Sequence, residues 1–173
     1  MGRYTLVPFY EKPAFAVVQL TAPSVLAAAV RGGVVPRDEI DWLTPIQGLK
    51  NVWCNWQTNI VATLDVAVPR ERARRASLYT TQLDFRGGTY LVQLEARSPR
   101  EVEERLDEII AWDALAPAAR VRHMKVDEDV LTAVSRSKNV WRVRGRIDRS
   151  EAVVHIVATK ARQEALSPRR RRS

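Results

Sequence analysis

Apolar and polar residues alternate with a period of two over several short stretches of this chain, whereas a helical period is sustained over only one long stretch. "NIVATLDVAV" (59–68) reads as a strand and stops at Pro69, which cannot donate to a ladder. After the turn signal Gly87-Gly88, Tyr90, Val92 and Leu94 fall on one face of a second strand while Gln93 and Glu95 fall on the other. "NVWRVRGRI" (139–147) sets Trp141, Val143 and Ile147 against Arg142, Arg144 and Arg146, and "EAVVHIVAT" (151–159) returns as its hairpin partner across residues 148–150. Tyr4 to Tyr10 reads as a further strand, interrupted by Pro8.

The helical stretch is "SPREVEERLDEIIAWDAL" (98–115). Ser98 is its N-cap, Pro99 occupies the first helical position, and Glu101 completes a capping box. Val102, Leu106, Ile109 and Ile110 form one stripe, predicted to pack on Tyr90, Val92 and Leu94. A shorter Ala-rich helix is expected in "APSVLAAAVRGG" (22–33), capped by Ser24 and stopped by Gly32-Gly33. Residues 34–57, with Pro36, Pro45, Gly48 and the tryptophans Trp42, Trp53 and Trp56, read as an irregular insertion. These tryptophans pack the insertion or stack on bases, with packing the more economical reading. Residues 70–83 fit a helix or a long bent strand equally well by local pattern. With "RVRHMKV" (120–126) as a closing strand, the order β-α-β then β-α-β predicts an α+β, ferredoxin-like split β-α-β fold: a four-stranded antiparallel sheet with two helices on one face. That places the domain in residues 1–126 and leaves 127–173 as a basic C-terminal extension. No internal repeat is read from the chain.

Composition narrows the class without choosing the function. The 173 residues suffice for one domain with extensions, and 46% apolar with 28% charged residues are ordinary globular values. No apolar run approaches the roughly 20 residues a spanning helix needs, so no membrane partner is expected. Cys54 is the sole cysteine, which excludes an intramolecular disulfide and any cysteine cluster for a metal. With a strand read from Arg3 onward, no N-terminal leader is expected.

Charge is more informative by position than in total. Of the net +8, residues 1–135 contribute 16 Lys/Arg against 17 Asp/Glu, while residues 136–173 contribute 12 against 3. A block such as Arg169 to Arg172 repels itself and gains most from a polyanion whose counterions it releases. No catalytic constellation assembles beside it. His123 and His155 lie in predicted strands without zinc-ligand spacing, and the carboxylates of residues 101–108 form the wet face of a helix. Gly87-Gly88 lacks the helix and lysine of a phosphate-cradling loop. The expectation is a protein that is not an enzyme and uses no cofactor and no metal.

"RRASLYTTQLDFRGGTYLVQLEA" (74–96), followed by "SPREVEERLDEII" and "ARVRHMKV", resembles the second half of the bacterial and mitochondrial small-subunit ribosomal protein six family. "GRYTLVPF" is similar to that family's opening strand. The resemblance implies that residues 74–83 end a long second strand. It also implies a structural constituent of the small ribosomal subunit, bound to small-subunit rRNA and to ribosomal protein eighteen, and to other small-subunit proteins through the insertion and extension. The long segment between the first two strands and the extended C-terminus are similar to those of organellar ribosomal proteins, which implies the mitochondrial matrix. Under this reading Arg3, Arg70, Arg72, Arg74, Arg75, Arg86, Arg120 and Arg122 contact RNA from the core, and Arg142, Arg144, Arg146, Arg169, Arg170, Arg171 and Arg172 from the extension. Leu78 and Tyr79 contact the partner protein. A free-standing RNA-binding protein of the same fold, and a structural subunit of another organellar complex, are the alternatives.

Overall fold

A computed structural model of the chain describes residues 1–8, 17–33, 43–55, 59–65, 76–110, 112, 122–126 and 131–160. The first of two antiparallel sheets is built from β1 (Gly2–Pro8), β2 (Val18–Ala22), β3 (Thr44–Pro45), β4 (Val52–Asn55) and β5 (Ile60–Leu64), in the order β2-β1-β5-β4-β3. The helix α1 (Val25–Arg31) follows β2. The second sheet contains β6 (Ser77–Phe85), β7 (Gly88–Ala96), β8 (Met124–Val126), β9 (Thr132–Ala133), β10 (Val140–Ile147) and β11 (Ser150–Thr159), in the order β7-β6-β11-β10, with β8 and β9 both on the outer side of β10. Two short helices, α2 (Pro99–Glu104) and α3 (Leu106–Ile109), follow β7.

This architecture overturns the four-stranded ferredoxin-like sheet with two helices on one face. The split β-α-β reading requires β1 to share a sheet with β6 and β7. Instead β5 pairs with β1 and completes the first sheet, so β6 opens a new one. Residues 34–57 are not wholly irregular either, since Thr44–Pro45 and Val52–Asn55 form a hairpin in which Thr44 faces Cys54. The hairpin of residues 140–159 is no appendage of a C-terminal extension; it lies in the second sheet, where β11 pairs with β6 on one side and β10 on the other. The predicted long helix is broken at Arg105 (φ −101°, ψ 9°). Its stripe still packs: Val102, Leu106 and Ile110 are buried on the second sheet with Leu94 and Leu83.

Each sheet carries its helix on the outer face. Tyr4, Leu6, Ala62 and Leu64 meet Val25, Ala28 and Ala29 of α1, while Leu83, Phe85, Val143, Val154 and Ile156 meet α2 and α3. The inner faces join through small mixed clusters, Val7 with Val140 and Val157, and Val52 and Val61 with Leu91. Between those clusters the seam is polar. Thr5, Thr63, Thr80, Gln82, His155 and Thr159 are all buried there or beside it.

The two halves repeat one another, which the sequence reading did not detect. Both run strand, strand, helix, short edge strand, hairpin, with the helix split into α2 and α3 and a second edge strand, β8, added in the second half, and both have the spatial order second-first-last-hairpin-edge. The registers agree: Tyr4 faces Leu20 and Leu64, and Tyr79 faces Leu94 and Ala158. Short sequence blocks agree as well, "VQLTAPS" (18–24) with "VQLEARS" (92–98), and "KNVW" at both 50–53 and 138–141. Repeated residues make repeated contacts. Tyr4 tilts against Trp53 with centroids 6.4 Å apart at 58°, and Tyr79 against Trp141 at 6.2 Å and 58°. Ser24 and Ser98 cap their helices at 3.2 and 3.1 Å. Arg31 and Arg105 each donate to a strand carbonyl, of Thr21 and of Glu95.

Candidate nucleic-acid interface

β10 is the element that presents cations in a row. Its alternation buries Val143, Gly145 and Ile147 toward the helices and turns Arg142, Arg144 and Arg146 to the other face. A residue added at Gly145 would place its Cβ 2.5 Å from the Lys125 carbonyl, so the close approach of β8 depends on that glycine. Arg144 and Arg146 are exposed and Arg142 half-buried. Lys125, opposite Arg146 on β8, and Arg149 at the hairpin turn are exposed too. Glu151 is the carboxylate paired across from Arg146. A flat strand with cationic side chains at every second position suits phosphate oxygens along a backbone and reads no base edges by itself.

Arg86 and Arg3, also predicted to contact RNA, make contacts within the fold. The Arg86-Gly87 turn closes the β6–β7 hairpin with φ of 45° and 83°, which matches a two-residue primed turn. Arg86 lies over the Phe85 ring at 5.2 Å, donates to Ser150 Oγ at 2.9 Å and pairs with Asp148 at 3.6 Å. Arg3 sits 3.4 Å from Asp65. Arg122 is exposed beside β8. Leu78 and Tyr79, expected at a partner surface, are buried, and Tyr79 packs against Trp141. Arg70, Arg72, Arg74, Arg75, Arg120, Arg169, Arg170, Arg171 and Arg172 lie outside the described residues, as do Trp42 and Trp56. Trp53 is a core residue, 5% exposed, and therefore does not stack on bases.

The seam holds a second polar cluster, which sequence reasoning missed. Gln19 Nε2 donates to Asp65 Oδ2 (2.7 Å) and to Thr5 Oγ1 (3.0 Å), and Thr5 Oγ1 donates to the same carboxylate oxygen (2.7 Å). In the other half Gln93 Nε2 donates to Thr80 Oγ1 (2.9 Å), which meets Thr159 Oγ1 (2.6 Å), and Thr159 donates to the Val157 carbonyl (3.0 Å). The glutamines also clasp the opposite half. Gln19 exchanges two bonds with the backbone of Lys138, each 2.7 Å, and Gln93 exchanges two with the backbone of Lys50, 2.7 and 2.8 Å. This reciprocal exchange has the form of an approximate two-fold. Asp65 and Thr159 occupy equivalent places and bridge the two sheets directly.

Burial drives the Asp65 pKa up from 3.8 to about 6, against the opposing pull of Thr5, Gln19, Arg3 and Thr63. Thr5 is fully buried and Asp65 is 5% exposed, so a substrate cannot reach this hydroxyl–carboxylate pair. The cluster is a hydrogen-bonded seam between halves. The sequence signal that would have found it is the repeated "VQL…A.S" and "KNVW" blocks. Among the described residues no group of three or more His, Cys, Asp or Glu is placed to hold a metal ion, and no helix is long and apolar enough to cross a membrane. Comparison with family models, with curated proteins and with solved structures finds no match to this chain.

Proposed function

We propose that this chain is a non-catalytic RNA-binding protein that holds its RNA by phosphate contacts. The observation that carries the reading is the alternating row Arg142, Arg144 and Arg146 on β10, with Arg144, Arg146 and the neighbouring Lys125 exposed. The basic residues beyond Lys160, Arg162 and Arg169 to Arg172, add sequence-independent attraction to the same polyanion. Both sheets are stiffened by antiparallel pairing, so the β10 arginines hold fixed relative positions and set orientation, which phosphate contacts do better than they specify sequence.

The narrower reading is a mitochondrial small-subunit ribosomal protein bound to rRNA and to protein eighteen. It rests on the sequence resemblance alone. The stretches that carry this resemblance, Gly2–Pro8 and Ser77–Ala96, fall in different sheets here, so the cationic strand, and not the family, is the support for RNA binding.

The test compares Arg144→Ala/Arg146→Ala with Arg86→Ala, measuring affinity for a structured RNA over a salt series. The β10 pair should weaken binding and flatten the salt slope by roughly 0.9 for each duplex phosphate that is no longer neutralised. Arg86→Ala, whose side chain is engaged in the hairpin, should leave the slope unchanged. Equal slopes for the parent and the β10 variant would refute the reading. Cosedimentation with small ribosomal subunits in high salt then separates the ribosomal form from a free-standing one.

A further inference from the structure

Residues kept identical between two diverged halves of one chain report what both halves need, and most of them here have a visible structural use. Gln19 and Gln93 clasp the opposite turn, and Thr44 and Thr132 each donate to a carbonyl of the adjacent strand. Asn51 and Asn139 adopt the left-handed conformation, φ 56° and 63°, for which asparagine is favoured among residues with side chains. Lys50 and Lys138 are different. The clasps use only their backbone groups, which any residue but proline supplies. Both residues are exposed, and among the described residues neither ammonium group meets a carboxylate or any other acceptor. Solubility alone does not account for them, because the neighbouring turn positions have diverged freely, Gln47 against Ser135 and Gly48 against Arg136.

Each lysine follows a turn whose backbone is fixed by a glutamine of the other half, so the two stems are held relative to one another through the seam. The reciprocal clasps relate them by the approximate two-fold, which gives them equal height along that direction and the same inclination to it. We propose that Lys50 and Lys138 are a matched pair of phosphate contacts and that their ligand is double-stranded RNA, whose two strands are themselves related by two-fold axes perpendicular to the duplex. A single strand has no such symmetry and would engage one lysine at a time. The inference rests on the RNA-binding reading and adds to it the class of RNA; the β10 arginines Arg142, Arg144 and Arg146, which stand where the first half of the sequence has Cys54, Trp56 and Thr58, supply the asymmetric remainder.

Fluorescence anisotropy with full-length protein tests the pairing, using an arbitrary-sequence RNA duplex of about 20 base pairs and one of its strands over a salt series. Lys50→Ala and Lys138→Ala should each weaken duplex binding by a similar factor and each reduce the salt slope by roughly 0.9, with both losses adding in the double variant. Lys→Arg at either site should retain the slope, and melting temperatures should not move because the side chains are solvent-exposed. Single-strand affinity should fall less than duplex affinity. The pairing is overturned if either lysine variant binds the duplex like the parent, or if single-strand and duplex binding suffer equally. Should the Lys variants behave like the parent while Arg144→Ala/Arg146→Ala loses affinity, RNA binding stands and the duplex inference fails; a parent that binds neither probe refutes both.

Discussion

The first half of this molecule ends its seam hydrogen-bond chain on a carboxylate, Asp65, and the second half runs the equivalent chain through a hydroxyl, Thr159. A carboxylate only accepts, so Gln19, Thr5 and Arg3 all converge on it. A hydroxyl accepts and donates, so Thr159 passes the chain on to the Val157 carbonyl and leaves no charge in the interior. The fold therefore does not require the charge. Where the halves agree, in Tyr/Trp pairs, glutamine clasps and serine caps, the residues serve the architecture; where they differ, as at buried Cys54 against half-buried Arg142, equivalent positions are put to different uses.

The aromatic pairs should show the largest effects and a defined inequality. Trp53 is buried at 5% exposure whereas Trp141 is half-buried. Large-to-small replacement of a buried tryptophan costs about 3 to 5 kcal/mol, and Trp53→Ala should reach that range while Trp141→Ala falls below it. Denaturant titration measures both. A larger loss for Trp141→Ala would mean that the two outer cores are not equivalent in the way their geometry indicates.

The seam charge gives the next effect, and its sign follows from the raised pKa. Asp65 is protonated in both folded and unfolded chains below pH 3.8, and in the folded chain it stays protonated up to about 6. Its contribution to stability is therefore fully present at low pH and is lost as pH rises through the folded value. At about 1.4 kcal/mol per unit this amounts to at most about 3 kcal/mol. Asp65→Thr, which gives the first half the chemistry of the second, should remove that slope and leave the variant more stable than the parent near neutral pH. Unfolding midpoints measured across pH 4 to 7 decide it: a parent and variant with parallel profiles would show that Asp65 is ionised throughout.

Much of the local structure was legible because it depends on near-neighbour patterns. The alternation of Tyr90, Val92 and Leu94, the Ser98 cap, the Ser24 helix and the 140–159 hairpin all lie where periodicity and turn chemistry put them. Sheet assembly was not legible, because pairing β5 with β1 is a long-range choice that no short window encodes. The repeat escaped for a related reason. Equivalent residues are spaced unequally, 75 apart for Tyr4 and Tyr79, 74 for Gln19 and Gln93, and 88 for Trp53 and Trp141, so no single period runs through the chain. The arginine face of β10 was readable from alternation, but the structural uses of Arg3 and Arg86 depend on partners distant in sequence.

The glutamine clasps should give intermediate losses that test independence. Gln19→Ala removes donors from Asp65 and Thr5 and both bonds to Lys138, and leaving such groups unsatisfied costs about 1 to 3 kcal/mol. Gln93→Ala should cost less, since Thr80 and Thr159 still satisfy one another. The clasps share no atoms, so the double variant should equal the sum within about 0.5 kcal/mol. A clear excess over the sum would mean that both clasps report one concerted opening of the seam.

The smallest effect separates the two helix starts. Ser24 and Ser98 each accept an N–H in the first turn, so replacing either with Ala should lose about 0.5 to 2 kcal/mol. The surroundings differ: α1 has no acidic residue in its first turn, whereas α2 has Glu101, which also accepts from the Arg97 backbone N–H at 2.9 Å. Aspartate keeps the capping acceptor and adds a charge that the helix N-terminus favours by about 0.3 to 1 kcal/mol at an exposed site. Ser24→Asp should therefore be neutral or slightly stabilising. Ser98→Asp should be nearly neutral, because the nearby Glu101 carboxylate repels the added charge and offsets that gain. Thermal melts of the four variants at low salt read the difference, and raising the salt should shrink the gap between the two Asp variants while leaving the Ala losses in place. If Ser98→Ala loses no more than Ser98→Asp, the serine oxygen is not what holds the start of α2.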